Sequence, residues 1–151
     1  MINCYIDLTK TDYSIATNYK ILDNPDPEPL LKIYDQYCAY NNFESVWPVF
    51  PEQFSSPVHD TIGYYVDEQL VAFSLIYKIN NEWLEDQQFA WDYKEPKLAL
   101  GIKSLETECA LYKKLGYKYI ILGVTSEYKT SFDGYTEFGQ KNKAVKDCPI
   151  L

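Results

Sequence analysis

The run Lys97-Leu98-Ala99-Leu100-Gly101-Ile102-Lys103 carries the first chemical signal in the chain. It follows Glu95-Pro96 and leads into a long amphipathic stretch, so it reads as a loop opening a helix near Leu98. The free N–H groups of a helix's first turn, backed by the helix dipole, favour an anion. Lys97 and Lys103 would add positive charge there. The same residues could instead form a plain strand-to-helix turn, with Gly101 chosen for close packing.

Metal and nucleophile chemistry has weaker support. The four cysteines, Cys4, Cys38, Cys109 and Cys148, show no C-x-x-C spacing, and His59 is the sole histidine. Zinc and dithiol redox sites are therefore not expected, and free thiols in a reducing cytoplasm are. His59, in a Pro-rich loop, reads as incidental, and Cys109 as a small core residue of a helix. No Walker loop or G-x-G-x-x-G is present.

The elements that must position the Leu98–Ile102 turn are legible on both sides of it. Trp83 to Tyr93 alternates, with Phe89, Trp91 and Tyr93 on one face and Ala90 and Asp92 on the other, and predicts a strand. Leu98, Leu100, Ile102, Leu105, Cys109, Leu111, Tyr112 and Leu115 predict an apolar helical stripe, with Lys103, Glu106, Lys113 and Lys114 facing solvent. Gly116 fits the C-terminal cap. Tyr117 to Leu122 follows as a strand. Strand, loop, helix and strand make a crossover unit.

Earlier in the chain, Ile2 to Leu8 predicts a strand. Thr9 to Asn24 predicts a short helix or an irregular segment, on the spacing of Tyr13, Ile15, Tyr19 and Leu22. The alternating prolines of 24–29 predict a loop. A helix follows over 28–41, with Leu30, Leu31, Ile33, Tyr34, Tyr37 and Cys38 on one face. The segment 43–54 holds Trp47, Phe50 and Phe54, which would pack on the core or wall a binding cleft. Thr61–Val66 and Leu70–Ile79, joined by Asp67-Glu68-Gln69, predict a hairpin. Beyond Gly123, Asp133-Gly134 predicts a turn between Tyr128-Lys129 and Tyr135–Phe138, in one or two short strands or a hairpin. A weakly ordered tail is expected near 141–151.

A length of 151 residues suits a single domain over 1–151. With 46% hydrophobic and 17% aromatic residues, including 15 tyrosines, a packed core with polar-tipped strands is expected. All basic residues are lysine, so no guanidinium fork is available for phosphate or carboxylate. The net charge of −8 disfavours direct nucleic-acid binding. No apolar run approaches the length of a membrane span, and no signal-peptide pattern opens the chain.

The order strand, helices, three antiparallel strands, helix, strand resembles the GNAT acyltransferase fold. The resemblance implies an α/β (α+β) domain with a mixed, mostly antiparallel sheet flanked by helices. It places an acyl-CoA carrier along the strand and loop before the main helix, and so implies carrier-binding roles for Trp91, Lys97, Leu100, Gly101 and Ile102. The family's usual loop is Q/R-x-x-G-x-G/A. Here the loop is Glu95-Pro96-Lys97-Leu98-Ala99-Leu100-Gly101-Ile102, with one glycine and no arginine.

A narrower set of motifs is similar to the GNAT-like half of arginyl-tRNA–protein transferases: Trp91, Tyr93, Glu95-Pro96, Leu100-Gly101, Glu108, Tyr117, Tyr119, Leu122-Gly123 and Tyr128-Lys129, in that order. This likeness implies aminoacyl-tRNA as an alternative donor. It covers about a third of the chain and lacks that family's cysteine cluster.

Transfer of an acyl group to an amine needs a base for the amine proton and an acid for the leaving group. The resemblance implies Tyr128 as the acid, with Asp133 and Glu137 as nearby carboxylates able to serve as base or to bind the amine. The expected activity is acyl transfer from a CoA or tRNA carrier to a small-molecule or peptide amine, without a metal. The alternative is a GNAT-like domain without catalysis that binds a small ligand, or a protein through 43–54.

Overall fold

Residues 2–41, 48–92, 99–139 and 146–149 are described by the computed structural model of the chain. Seven strands form one sheet. They are β1 (Asn3–Asp7), β2 (Asn18–Leu22), β3 (His59–Val66), β4 (Gln69–Lys78), β5 (Trp83–Trp91), β6 (Tyr119–Val124) and β7 (Tyr135–Glu137). Two helices, α1 (Pro27–Tyr40) and α2 (Leu100–Lys114), pack on the sheet. The strand order is β2-β3-β4-β5-β6-β1-β7. Every neighbouring pair is antiparallel except β5–β6, which is parallel because α2 carries the chain back across the sheet.

Local chemistry sets the element ends. Asp26 Oδ1 accepts the Glu28 N–H at 3.0 Å and caps α1, with Pro27 in the first turn. At the other end the Asn41 side chain donates to the Tyr37 carbonyl at 2.9 Å. Gly116, at φ 98°, closes α2: its N–H bonds the Lys113 carbonyl at 3.1 Å, and the Tyr117 N–H bonds the Tyr112 carbonyl at 3.0 Å. The Tyr112 and Tyr117 rings meet at 5.6 Å, the apolar contact that accompanies this termination. Asp67 and Glu68, both at positive φ, make the two-residue β3–β4 turn. Asn80 Oδ1 accepts the Glu82 and Trp83 N–H groups, each at 2.9 Å, and turns β4 into β5.

The core has two faces. Ile6, Ile62, Ile76, Leu84 and Ile120 meet Leu105, Cys109 and Tyr112 of α2. On the opposite face Phe73, Leu75 and Ala90 meet Leu30, Ile33 and Tyr34 of α1. A third cluster gathers Tyr5, Trp83, Ile121 and Cys148. Of the expected weakly ordered tail, 141–145 and 150–151 lie outside the described residues, while Cys148 is buried in this last cluster.

Several expectations change. Thr9 to Asn24 is not helical: a 3₁₀ turn at Leu8–Lys10 precedes an extended segment and the edge strand β2. Pairing with β3 supplies the order that the local pattern lacks. That extended segment crosses α2, where the Ala16 N–H donates to Thr107 Oγ1 at 3.0 Å. The apolar stripe of α2 is accordingly offset. Ile102 (44%) and Leu115 (58%) are exposed, whereas Thr107 and Glu108 are buried. Tyr128-Lys129 forms no hairpin strand: it lies in a 3₁₀ turn, Glu127–Ser131, and β7 pairs with β1 instead. In the aromatic segment, Phe54 packs on Phe73 at 5.6 Å and Phe50 is 55% exposed. Trp47 lies outside the described residues.

Candidate active-site cleft

The parallel β5–β6 pairing lasts only from Trp83↔Tyr119 to Glu85↔Ile121. β5 continues to Trp91 and β6 to Val124, so beyond that point the strands part. The β4–β5 register passes from Ile76 opposite Asp86 to Leu75 opposite Gln88, which makes Gln87 an extra residue in β5 at the same place. A bulge of this kind bends a strand and re-aims its side chains.

A cleft of about 300 Å³ opens at the parting. β5 lines it with Asp86, Gln87, Gln88 and Phe89, and β6 with Leu122. Gly101, Ser104 and Leu105 come from the start of α2, and Tyr34, Tyr37 and Cys38 from α1. The turn after β6 adds Tyr128 and Lys129. Since α1 and α2 cover opposite faces, side chains from both sides of the sheet line the cleft.

Asp86 is the titratable group that lines the cleft on the β5 side. The residue is half-buried and reaches the cleft, while its Oδ1 is buried without a hydrogen-bond partner among the described residues. Burial raises its pKa to about 7; the Lys129 charge pulls it down and Glu85 pushes it up. A carboxyl in this range can take up a proton near neutrality. Behind it, Glu108 of α2 is 1% exposed, with Oε1 unpartnered among the described residues. Burial first, and the Asp86 charge second, hold Glu108 well above the usual carboxylate range, while hydrogen bonds from Ser74 and Tyr64 pull the other way. Tyr64 and Ser74 are themselves joined at 3.1 Å.

Tyr128 faces Asp86 from the other wall. Although 46% exposed, its phenol is pushed up to about 12, first by desolvation and then by the Asp86 charge. It therefore remains a proton donor over the working range of most enzymes. Lys129 Nζ donates to the Leu122 carbonyl at 3.1 Å and to the Val124 carbonyl at 2.8 Å, which fixes an ammonium in the cleft wall.

The first turn of α2 also reaches the cleft. Ala99, at φ 50°, opens the helix without a side-chain cap. Among the described residues a Cβ built on Gly101 would meet only Phe89, at 3.9 Å. Gly101 thus leaves open space beside the cleft and does not serve close packing.

Of the site residues expected from the sequence, Gly101 and Tyr128 line this cleft together. Trp91 ends β5 opposite Ala72 and packs on the α2-side core. Leu100 is buried in that core and borders a smaller cavity with Lys103 and Tyr64. Ile102 faces outward, and Lys97 lies outside the described residues.

Neither Asp133 nor Glu137 lines the cleft. The Asp133 N–H donates to the Tyr13 hydroxyl at 2.8 Å on the surface, and Glu137, in β7 opposite Cys4, accepts from Tyr135 at 3.1 Å. Asp86, which does line the cleft, is not among the residues expected from the sequence. Its signal was present in Glu85-Asp86-Gln87-Gln88, a polar run inside a strand flanked by apolar residues. Glu108 enters the sequence reading only as a motif residue, and its burial is not legible there because a helical carboxylate defaults to solvent.

Among the described residues no group of three or more potential ligands could hold a metal ion, and no helix is long and apolar enough to cross a membrane.

No family model and no curated protein matches the sequence. Solved structures do match in fold. The C-terminal domain (DUF2156) of a putative lysylphosphatidylglycerol synthetase from Agrobacterium fabrum superposes with a TM-score of 0.66 at 13% identity, covering 82% of this chain and 46% of that one. An aminoglycoside acetyltransferase from an uncultured soil metagenomic sample gives 0.53 at 9% identity, over 75% and 80%. A GCN5-related N-acetyltransferase from Kribbella flavida gives 0.54 at 11%, over 89% and 53%. The chain spans just under half the length of the synthetase domain. The narrower likeness to arginyl-tRNA–protein transferases rests on sequence motifs alone. With its seven-stranded, mostly antiparallel sheet, its single parallel pair and the α2 crossover, this chain has the GNAT fold.

Proposed function

We propose that the chain is an acyltransferase that moves an acyl group from a carrier to an amine in the cleft between β5 and β6. One observation carries the reading: where the two strands part, Asp86 on one wall faces Tyr128 and Lys129 on the other. Asp86 takes a proton from the incoming amine, and the freed nitrogen pair attacks the acyl carbonyl. As the adduct collapses, Tyr128 gives its proton to the departing thiolate or alkoxide. Solvent exchange then returns the proton from Asp86 to Tyr128. Base and acid on opposite sides of the reacting carbon suit this sequence.

The carrier enters along the stretch of β5 beyond its pairing with β6 and the first turn of α2. Gly101 leaves room for it, the N-terminal turn of α2 offers N–H groups to an anion, and Lys97 adds positive charge. Two N-acetyltransferases of this fold make acetyl-CoA the first donor to test. The lysylphosphatidylglycerol synthetase likeness makes a lysyl or other aminoacyl donor, with tRNA as carrier, the second. The acceptor is a small-molecule or peptide amine.

Thermal shift with acetyl-CoA, CoA and aminoacyl-tRNA, followed by transfer assays on a panel of amines, tests the reading. Stabilisation by one carrier and transfer that Asp86→Asn abolishes are expected. Absence of a shift with every carrier would overturn the transferase reading in favour of a binding module.

A further inference from the structure

Lys129 is the lysine that lines the cleft. Its half-buried side chain starts from the Glu127–Ser131 turn and folds back onto β6. An ammonium has three N–H donors. The Leu122 and Val124 carbonyls take two of them, at 3.1 and 2.8 Å, and these bonds hold the nitrogen in place. The Tyr128 ring lies beside it, 6.0 Å from Nζ to the ring centroid. Among the described residues no further acceptor takes the third N–H, which leaves it for the cleft. Across the gap stands Asp86, whose strongest charged neighbour is this same lysine. A fixed cation and a buried carboxyl thus flank the space in which the acyl group must sit.

We propose that Lys129 is a catalytic residue whose ammonium binds the acyl carbonyl oxygen and carries the negative charge of the tetrahedral adduct. This role rests on the transferase reading above. When the amine nitrogen forms its bond to carbon, the carbonyl π pair moves to oxygen, where the third N–H of Lys129 meets it. The amine proton goes to Asp86. On collapse the oxygen pair re-forms the carbonyl, the bond to the carrier breaks, and the leaving atom takes the Tyr128 proton. A charge anchored before the reaction begins needs no reorganisation when the oxyanion forms, and loss of one such donor typically costs about 10²–10³ in kcat.

A purely structural lysine would staple the turn to β6 and nothing more. Lys129→Met and Lys129→Gln separate the two roles, since glutamine can keep one N–H on the Leu122 carbonyl without the charge. Steady-state kinetics are measured beside carboxyl NMR titration of Asp86. The groups that share charge with Asp86 are Glu85 on its own strand, Tyr64 on β3, Glu108, Cys109 and Tyr112 on α2, and Tyr128 and Lys129 on the turn. Both variants are expected to lower kcat by about 10²–10³-fold with KM changed less than about threefold. Both should also move the Asp86 midpoint upward, because the cation that favours its ionised form is gone.

A folded variant with kcat within about threefold of the parent, or an unmoved Asp86 midpoint, would overturn the role of Lys129 and leave the transferase reading intact. A parent protein that transfers nothing from any donor, while the midpoint still moves in the variants, would overturn the transferase reading itself and this role with it.

Discussion

The Tyr64 hydroxyl lies 3.1 Å from Ser74 Oγ in the buried layer between the sheet and α2, and both hydrogen-bond to Glu108. An enclosed carboxyl prefers to keep its proton, and Glu108, buried in this layer, sits next to the half-buried Asp86 that lines the cleft.

Stability should therefore fall as pH rises. An unfolded glutamic acid loses its proton near its ordinary pKa of 4.5, whereas folded Glu108 holds it to much higher pH. Above pH 4.5 the unfolded state is favoured, and the penalty grows until the folded pKa is passed. Asp86 adds the same sign of effect between its ordinary 3.8 and about 7. Glu108→Gln, which stays neutral and can still hydrogen-bond, should flatten the dependence and be more stable than the parent at pH 8 by roughly 1–3 kcal/mol. Urea unfolding at pH 5 and pH 8 measures this. Equal slopes in parent and variant would show that Glu108 is solvated.

The transfer reaction should have a rising limb near pH 7, where Asp86 ionises. No falling limb from Tyr128 is expected below about pH 11, because its phenol titrates near 12. Asp86→Asn should remove the limb and lower kcat by about 10²–10⁴-fold, and Tyr128→Phe should lower kcat by about 10²-fold. A pH–rate profile of each variant decides. An Asp86→Asn enzyme that retains the limb would move the base elsewhere.

Gly101 offers a test that separates stability from ligand binding. Among the described residues the atom near an added Cβ is on Phe89, at 3.9 Å, and Gly101 sits in a helix. Gly101→Ala should raise stability by about 0.5–1 kcal/mol. Gly101→Leu should fold as well, yet weaken carrier binding by about tenfold or more by filling the cleft beside α2. Denaturation midpoints and carrier titrations check the two effects. Unchanged carrier affinity in Gly101→Leu would place the carrier elsewhere.

Gly134 is constrained by the backbone. At φ 75°, an added Cβ would overlap the Asp7 carbonyl oxygen, and the Asp7 N–H bonds the Gly134 carbonyl at 2.8 Å. Gly134→Ala should destabilise the chain by about 2 kcal/mol or more, combining left-handed strain with the overlap. A loss below about 0.5 kcal/mol in chemical denaturation would mean that the β1–β7 joint yields.

Local pattern was enough for the parts of this protein whose order is written in neighbouring residues. Pro27 and Pro29 start α1 near the expected place, Gly116 ends α2, and the Phe89–Trp91 alternation marks the strand that enters the crossover. These signals are strong because caps, turns and periodicity act within a few residues. They led to the GNAT fold through element order.

The tertiary structure decided the rest. β2 is a strand because β3 lies beside it, and Thr107 is buried because the segment before β2 crosses α2. Most of all, it decided which acids meet. Asp133 and Glu137 follow Tyr128 closely in the chain, yet the cleft receives Asp86, 42 positions earlier. Proximity along the sequence says little about residues on opposite sides of a strand gap. Where β5 and β6 separate sets which side chains face each other, and that separation is a property of pairing between distant segments, which no single stretch of sequence displays.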